Sequence, residues 1–239
     1  MNTINQPHTF HIPVMGTGFT IDTPLKIAKY GISSVLSIVD DILIEQIRKY
    51  HCEQNHEQYE PILNHDKDSR AKRITAYLNL LDKLIHQQFK QLKSESFENG
   101  KDINRYFSLL PDSSIKNLYE EMISETDPLK KIELQNKLRQ QIIPGSIDVN
   151  IMTKLNRDQY VQGKKLGPEY ADALAALRGY ANSTLTSSII FSAGLNPVLY
   201  GYMTQFSDFF PDEHGFIKKK IILKVSDYRS AIIQGKFLA

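Results

Sequence analysis

The 239-residue chain has no tryptophan and a single cysteine, Cys52. One thiol excludes an intramolecular disulfide and any zinc site built from cysteines alone, and it suits a reducing compartment. No apolar run approaches the roughly 20 residues needed to cross a bilayer. Neither sign of charge dominates: 29 Lys and Arg stand against 27 Asp and Glu, mixed along the chain without a basic or acidic tail. A net charge of +2 gives no electrostatic case for nucleic acid or an anionic membrane as partner. Met1 to Phe10 is polar and lacks the basic start and apolar core of a secretory leader. No Walker-type loop, Gly-x-Ser-x-Gly elbow or His-Glu-x-x-His motif is present. These absences lead to the expectation of a cytoplasmic globular protein, long enough to bury a sizeable core.

Five short β-rich runs are spread along the rest of the chain. They are Phe10–Met15, Ser33–Val39, Ile147–Met152, Ser188–Ser192 and Lys220–Ser226. The second is nearly all apolar, as expected of a strand covered on both faces. Helical patterns separate the runs. Asp40 or Asp41 caps a helix with Ile42, Ile44, Ile47 and Tyr50, Asn196-Pro197 opens another, and Asp227 caps a last one. Strands alternating with helices imply right-handed crossovers and a parallel sheet. Between Lys67 and Pro144 the period is helical throughout. Ile74, Leu78, Leu81, Ile85, Phe89 and Leu92 form one stripe. A helix follows Asp112, and another follows Asp127-Pro128 with Leu129, Ile132, Leu138 and Ile142 as its expected inner face. The expected organisation is α/β, with βα units over 10–56 and 144–239 and a helical insertion over 60–143.

In parallel α/β folds ligands sit at the C-terminal ends of the strands. That rule selects Met15, Gly16, Thr17 and Gly18 after the first strand and Asn150 on the third. It also selects Ser192, Ala193 and Gly194 after the fourth and Lys224 on the fifth. Glycines there let backbone amides approach a ligand, or simply turn the chain into the next helix. Asn150 interrupts an apolar strand, so its carboxamide needs partners from a planar cofactor or from neighbouring backbone. Lys224 follows an unbroken apolar run, which leaves open whether it points into a barrel or outward. His51, Cys52, His56 and His65 match no standard zinc spacing, so no metal is expected.

These segments, in this order, resemble the flavin-dependent nitronate monooxygenases and the related flavin-type enoyl-acyl-carrier-protein reductases. The resemblance rests on Pro13-Val-Met-Gly-Thr-Gly18, Gly31-Ile-Ser-Ser-Val-Leu-Ser37, Val149-Asn-Ile-Met152 and Ser192-Ala-Gly-Leu-Asn-Pro197. It covers residues 10–52 and 144–239. It implies an incomplete TIM-barrel-like (β/α) fold of about five strands that holds FMN across the strand ends. Met15 to Gly18, Asn150 and Lys224 would then lie at the flavin, and Ser192 to Gly194 beside a small-molecule or acyl substrate. The family's Ala-Gly-Gly-His-like segment has no counterpart here, and His214 lies in a solvated loop, so no catalytic residue is assigned. The resemblance therefore implies the N-terminal part of an FMN-dependent oxidoreductase, completed by a further C-terminal segment or another subunit. The alternative expectation is a non-catalytic interaction protein whose helical block binds a partner.

Overall fold

The computed structural model describes residues 11–14, 22–153, 156–191 and 196–236. The chain forms two compact units. Of the described residues, one comprises 11–13, 22–34 and 83–147; the other holds Val14, 35–82 and those from Asp148 onward.

The fold is mixed α/β. Its main sheet has five strands, β1 (His11–Val14), β2 (Ser33–Ile38), β3 (Ile147–Ile151), β6 (Ser188–Phe191) and β7 (Lys220–Leu223), in the spatial order β1-β2-β3-β6-β7. β3, β6 and β7 pair in parallel, with Asn150 opposite Ile190 and Ile190 opposite Ile222. β2 runs the same way: the Ser34 N–H donates to the Ser146 carbonyl, and the Met152 N–H to that of Ile38. The strand order never reverses. Right-handed crossovers without reversal put the connecting helices on one face of a sheet. Phe191 stacked on Tyr200, 5.7 Å between ring centres, identifies that face.

Leu36, Ile38, Val149, Ile151, Ile189 and Phe191 alternate onto this side, and each is at most 1% exposed. The other face carries Ser37, Asp148, Asn150, Ser188, Ile190, Lys220 and Ile222. Ser37 and Asp148 are buried, the next three half-buried, and Lys220 and Ile222 exposed.

Helices of the sheet-bearing unit begin where capping chemistry places them. Asp40 accepts the Ile42 and Leu43 N–H groups at the start of α2 (Asp41–Gln54). Asn196 caps α8 (Pro197–Met203) through the Leu199 N–H, and Asp227 caps α9 (Tyr228–Gly235) through that of Ser230. α7 (Asp172–Ala181) lies so close to α3 (Ser69–Ser94) that a Cβ on Gly179 would come within 2.7 Å of the Ile74 Cβ. Lys219, just before β7, is completely buried. Its ammonium donates to the carbonyls of Tyr180, Ala181 and Ser183 at 2.6–3.0 Å and so caps the end of α7. A small hairpin, β4 (Tyr160–Val161) with β5 (Lys164–Lys165), turns at Gln162 and Gly163, both with positive φ.

The other unit is helical: α1 (Thr23–Ala28), the second half of α3, α4 (Asp102–Ser108), α5 (Ser114–Ser124) and α6 (Pro128–Gln141). Ser113 and Asp127 cap the last two. Its core gathers Phe89, Leu92, Tyr106, Phe107, Met122 and Leu138 among others. The inner face of α6 differs from the expected one. Leu134, Leu138 and, just past the helix, Ile142 are buried, whereas Leu129 is 79% and Ile132 54% exposed. Leu134 and Leu138 sit four apart and define the buried stripe, which turns Leu129 and Ile132 outward.

Candidate functional site

The C-terminal ends of β2 and β3 carry an ionic network. Beyond β2, Asp40 receives the Arg157 guanidinium at 2.7 Å, and Asp41 receives Arg73 at 2.6 Å. Asp172, the first residue of α7, accepts the Arg157 Nε and backbone N–H at 2.8 and 3.1 Å and pairs with Arg70 at 3.2 Å. Three carboxylates thus meet three guanidinium groups. The remaining donors of Arg70 reach the carbonyls of Arg157, Asp158 and Tyr170, and those of Arg73 reach Ile62 O and Asn64 Oδ1. Hydrogen bonds from Arg157 to Asp172 and Asp40 raise the Arg157 pKa. For Asp40, burial acts upward, but the Arg157 hydrogen bond and the Leu43 and Ile42 N–H groups outweigh it and hold its pKa below the usual carboxylate value. Charges so balanced tie Asp40 and Asp41, just beyond β2, to Arg157 and to the starts of α3 and α7, which is a scaffolding role.

On β3, Asn150 donates through Nδ2 to Ser37 Oγ on β2 at 3.2 Å, while its Oδ1 is buried and, among the described residues, has no hydrogen-bond partner. Three residues on, Thr153 is buried and its Oγ1 is likewise unpartnered. Leaving a buried acceptor unsatisfied costs about 1–3 kcal/mol. Unpartnered hydroxyls also occur on Ser34 and Ser187, at the strand starts rather than the ligand-binding end. Gln159 shows the same pattern, its Nε2 donating to Ser69 Oγ at 3.0 Å while its Oε1 is buried and unpartnered. Asn150 differs in standing on the sheet near the C-terminal end of β3, with its acceptor left over for an incoming N–H or O–H donor.

Of the residues selected from the sequence, Asn150 and Lys224 are described. Met15 to Gly18 and Ser192 to Gly194 lie outside the described residues. Lys224 continues the β7 ladder, its N–H donating 3.1 Å to the Phe191 carbonyl, and its side chain is exposed. Its charge therefore meets solvent rather than an enclosed interior. The arginine network was not foreseen. The available signal was polar residues following two strands, Asp40-Asp41 just beyond β2 and Asn156-Arg157 five residues past the end of β3.

A shallow cleft of about 270 Å³ lies between α2 and the following loop, lined by Ile42, Glu45, Lys49, Tyr59, Leu63 and Arg73. Its central carboxylate is already engaged: Glu45 accepts from Arg48, Tyr59 and the Ile62 N–H at 2.6–3.0 Å. Burial acts to raise the Glu45 pKa, but Arg48 and the Ile62 N–H override it and keep it low. His51 is buried and stacked on Tyr77, and Cys52 beside it is buried. Among the described residues no helix is long and apolar enough to cross a membrane. Comparison with protein-family models, curated proteins and solved structures finds no match in any of the three.

Proposed function

We propose that the chain binds FMN across the C-terminal ends of its parallel strands, as the flavin-bearing part of a TIM-barrel-like oxidoreductase of the nitronate monooxygenase or enoyl reductase kind. The observation that carries this reading is the buried, unpartnered Oδ1 of Asn150, on the sheet face opposite the one the helices cover. Two further features support it. An unreversed strand order is the winding of a β/α barrel, in which one sheet face turns outward to helices and the other inward. The face opposite the helices carries Ser37, Asp148, Asn150 and Ser188, polar groups of the kind an interior ligand needs as hydrogen-bond partners.

The residues present fit the group. Asn150 Oδ1 is an acceptor suited to a ring N–H, and Ser37 holds the carboxamide in the orientation that exposes that acceptor. The arginine network ties Asp40, Asp41, Arg157 and Asp172 together beside these strand ends. FMN, when bound, supplies the hydride or oxygen chemistry of the reaction. The protein's share is to orient a small-molecule or acyl substrate and exclude water.

The test is the visible absorption spectrum of the chain with excess FMN, beside an Asn150→Ala variant. The expected result is a shifted flavin spectrum whose binding weakens about tenfold in the variant, the worth of one hydrogen bond. A wild-type chain that leaves the FMN spectrum unchanged overturns the reading.

One observation favours a second reading, that of a non-catalytic interaction protein. Ile123 of α5 and Leu129 and Ile132 of α6 are all more than half exposed on the helical unit. Large apolar side chains grouped on a surface mark protein contacts. A colourless chain indifferent to FMN leaves this reading in place of the first.

A further inference from the structure

Asn99 is the only asparagine in the sequence that glycine follows. The pair lies in the turn between α3 and α4 of the helical unit. The Lys101 N–H donates to the Glu98 carbonyl at 3.3 Å, Gly100 has a φ of +84°, and Asn99 keeps a negative φ. Those angles make a type II turn, with Asn99 and Gly100 at its centre and glycine in the left-handed position. Both residues are exposed, and a Cβ on Gly100 would meet nothing within 4 Å. Among the described residues the Gly100 N–H has no hydrogen-bond partner. Asn182-Ser183, at the end of α7, is the contrast. Asn182 is exposed as well, but Ser183 is buried and its N–H is bound to the Tyr180 carbonyl at 3.0 Å. The backbone nitrogen after Asn182 is held and covered, and the one after Asn99 is neither.

We propose that Asn99 is a site of spontaneous covalent modification, converting to aspartate and isoaspartate through a cyclic imide. Hydroxide takes the Gly100 amide proton and the nitrogen attacks Asn99 Cγ. The N–Cγ bond forms as the Cγ–Nδ2 bond breaks, and Nδ2 leaves as ammonia with a proton from water. Water then opens the five-membered ring. Cleavage of the new N–Cγ bond leaves aspartate. Cleavage between the nitrogen and the main-chain carbonyl leaves isoaspartate, with the chain running through Cβ and Cγ. One water is consumed and one ammonia released. Ring closure needs the Asn99–Gly100 peptide plane to rotate out of its type II position. A single long bond, Lys101 N–H to Glu98 O, opposes that rotation, and Gly100 has no Cβ to hinder it. The site is independent of the flavin reading. Its consequence falls on α4, which the turn enters directly. Glu98 O accepts from Asn104 Nδ2, Glu95 Oε2 accepts the Ile103 N–H at 3.0 Å, and Asp102 holds Lys29 and Tyr30. An added main-chain methylene at position 99 works against these bonds, and α4 supplies Tyr106 and Phe107 to the core of its unit. Aspartate without the longer backbone only places a negative charge near a helix N-terminus, which tolerates it.

The experiment ages the full chain at mildly alkaline pH and body temperature for weeks, beside an Asn99→Gln variant and a synthetic peptide of residues 94–101. Proteolytic fragments are weighed for conversion of amide to acid, and isoaspartate is counted by a protein carboxyl methyltransferase with a labelled methyl donor. Conversion is expected to concentrate in the fragment holding Asn99, at least about tenfold faster there than at Asn182 or any other asparagine. The methyl label should be lost from Asn99→Gln. Thermal melts separate the two products: Asn99→Asp is expected to melt with the wild type, and the aged chain carrying isoaspartate to melt lower. A native chain whose Asn99 stays intact while the peptide is fully converted overturns the proposal. So does modification no faster than at Asn182, or an Asn99→Gln variant labelled as heavily as the wild type. An aged chain that melts with the wild type overturns the consequence for α4.

Discussion

Leu36, Ile38, Val149, Ile151, Ile189 and Phe191 point to one side of the sheet and are sealed there. Asn150, Ser188, Ile190 and Ile222 point to the other and stay partly or largely open. The same strands supply both sets at alternate positions, so the contrast arises from what covers each face and not from strand composition alone. The covered face is selected for packing, where every methylene counts. The other carries a buried carboxamide oxygen without a partner, which costs stability, beside lysines whose ammonium groups stay hydrated.

Truncation should break that contrast most sharply. Phe191→Ala removes a ring stacked on Tyr200 and is expected to cost about 3–5 kcal/mol, while Ile222→Ala should stay within about 1 kcal/mol. Urea unfolding measures both, and equal costs would erase the distinction between the faces. Next in size is Lys219→Met, which leaves three carbonyls at the end of α7 without their donor. A loss of about 3 kcal/mol is expected. A variant as stable as the wild type would show that water satisfies that helix end.

Asn150→Leu should behave oppositely to an ordinary core substitution. It removes the orphaned acceptor at the expense of one bond to Ser37, so the melting temperature should hold or rise, by up to about 1 kcal/mol in stability. A marked fall would mean that Oδ1 is satisfied in solution. The smallest effect is a pH dependence on α2. The folded-state pKa of Glu45 lies below its ordinary 4.5, so its ionised form stabilises the fold above that value. The contribution is lost as pH falls below 4.5 and through the depressed folded value. Urea midpoints between pH 6 and pH 3 should therefore decline less steeply for Glu45→Gln, and parallel profiles would remove Glu45 from the acid sensitivity.

The sheet was legible in the sequence because its strands are short apolar runs with clear boundaries. All five lie within the expected runs, and Asp40, Asp127, Asn196 and Asp227 cap helices as their side-chain chemistry dictates. α4, with seven residues, and the β4–β5 hairpin, with two-residue strands, are too short to establish a period. The inner face of α6 was misread because Leu129 and Ile132 fit a helical spacing as well as Leu134 and Leu138 do. Only the packed core decides between the two stripes. The arginine network was hidden for another reason, since Arg157 and Asp40 are 117 positions apart and meet only once the sheet has formed. Asn150 was visible as a polar interruption of an apolar strand, but its unpartnered oxygen was not.

Three consecutive lysines, Lys218, Lys219 and Lys220, differ in one respect that a chemist can exploit. The outer two face water, and the middle one is wholly enclosed with all three of its N–H bonds committed. An acylating reagent should modify the outer pair rapidly and reach Lys219 only when the segment before β7 swings away from α7. The rate at which that single amine is labelled, read by mass spectrometry on one peptide with its neighbours as internal standards, would time the opening of this edge of the sheet.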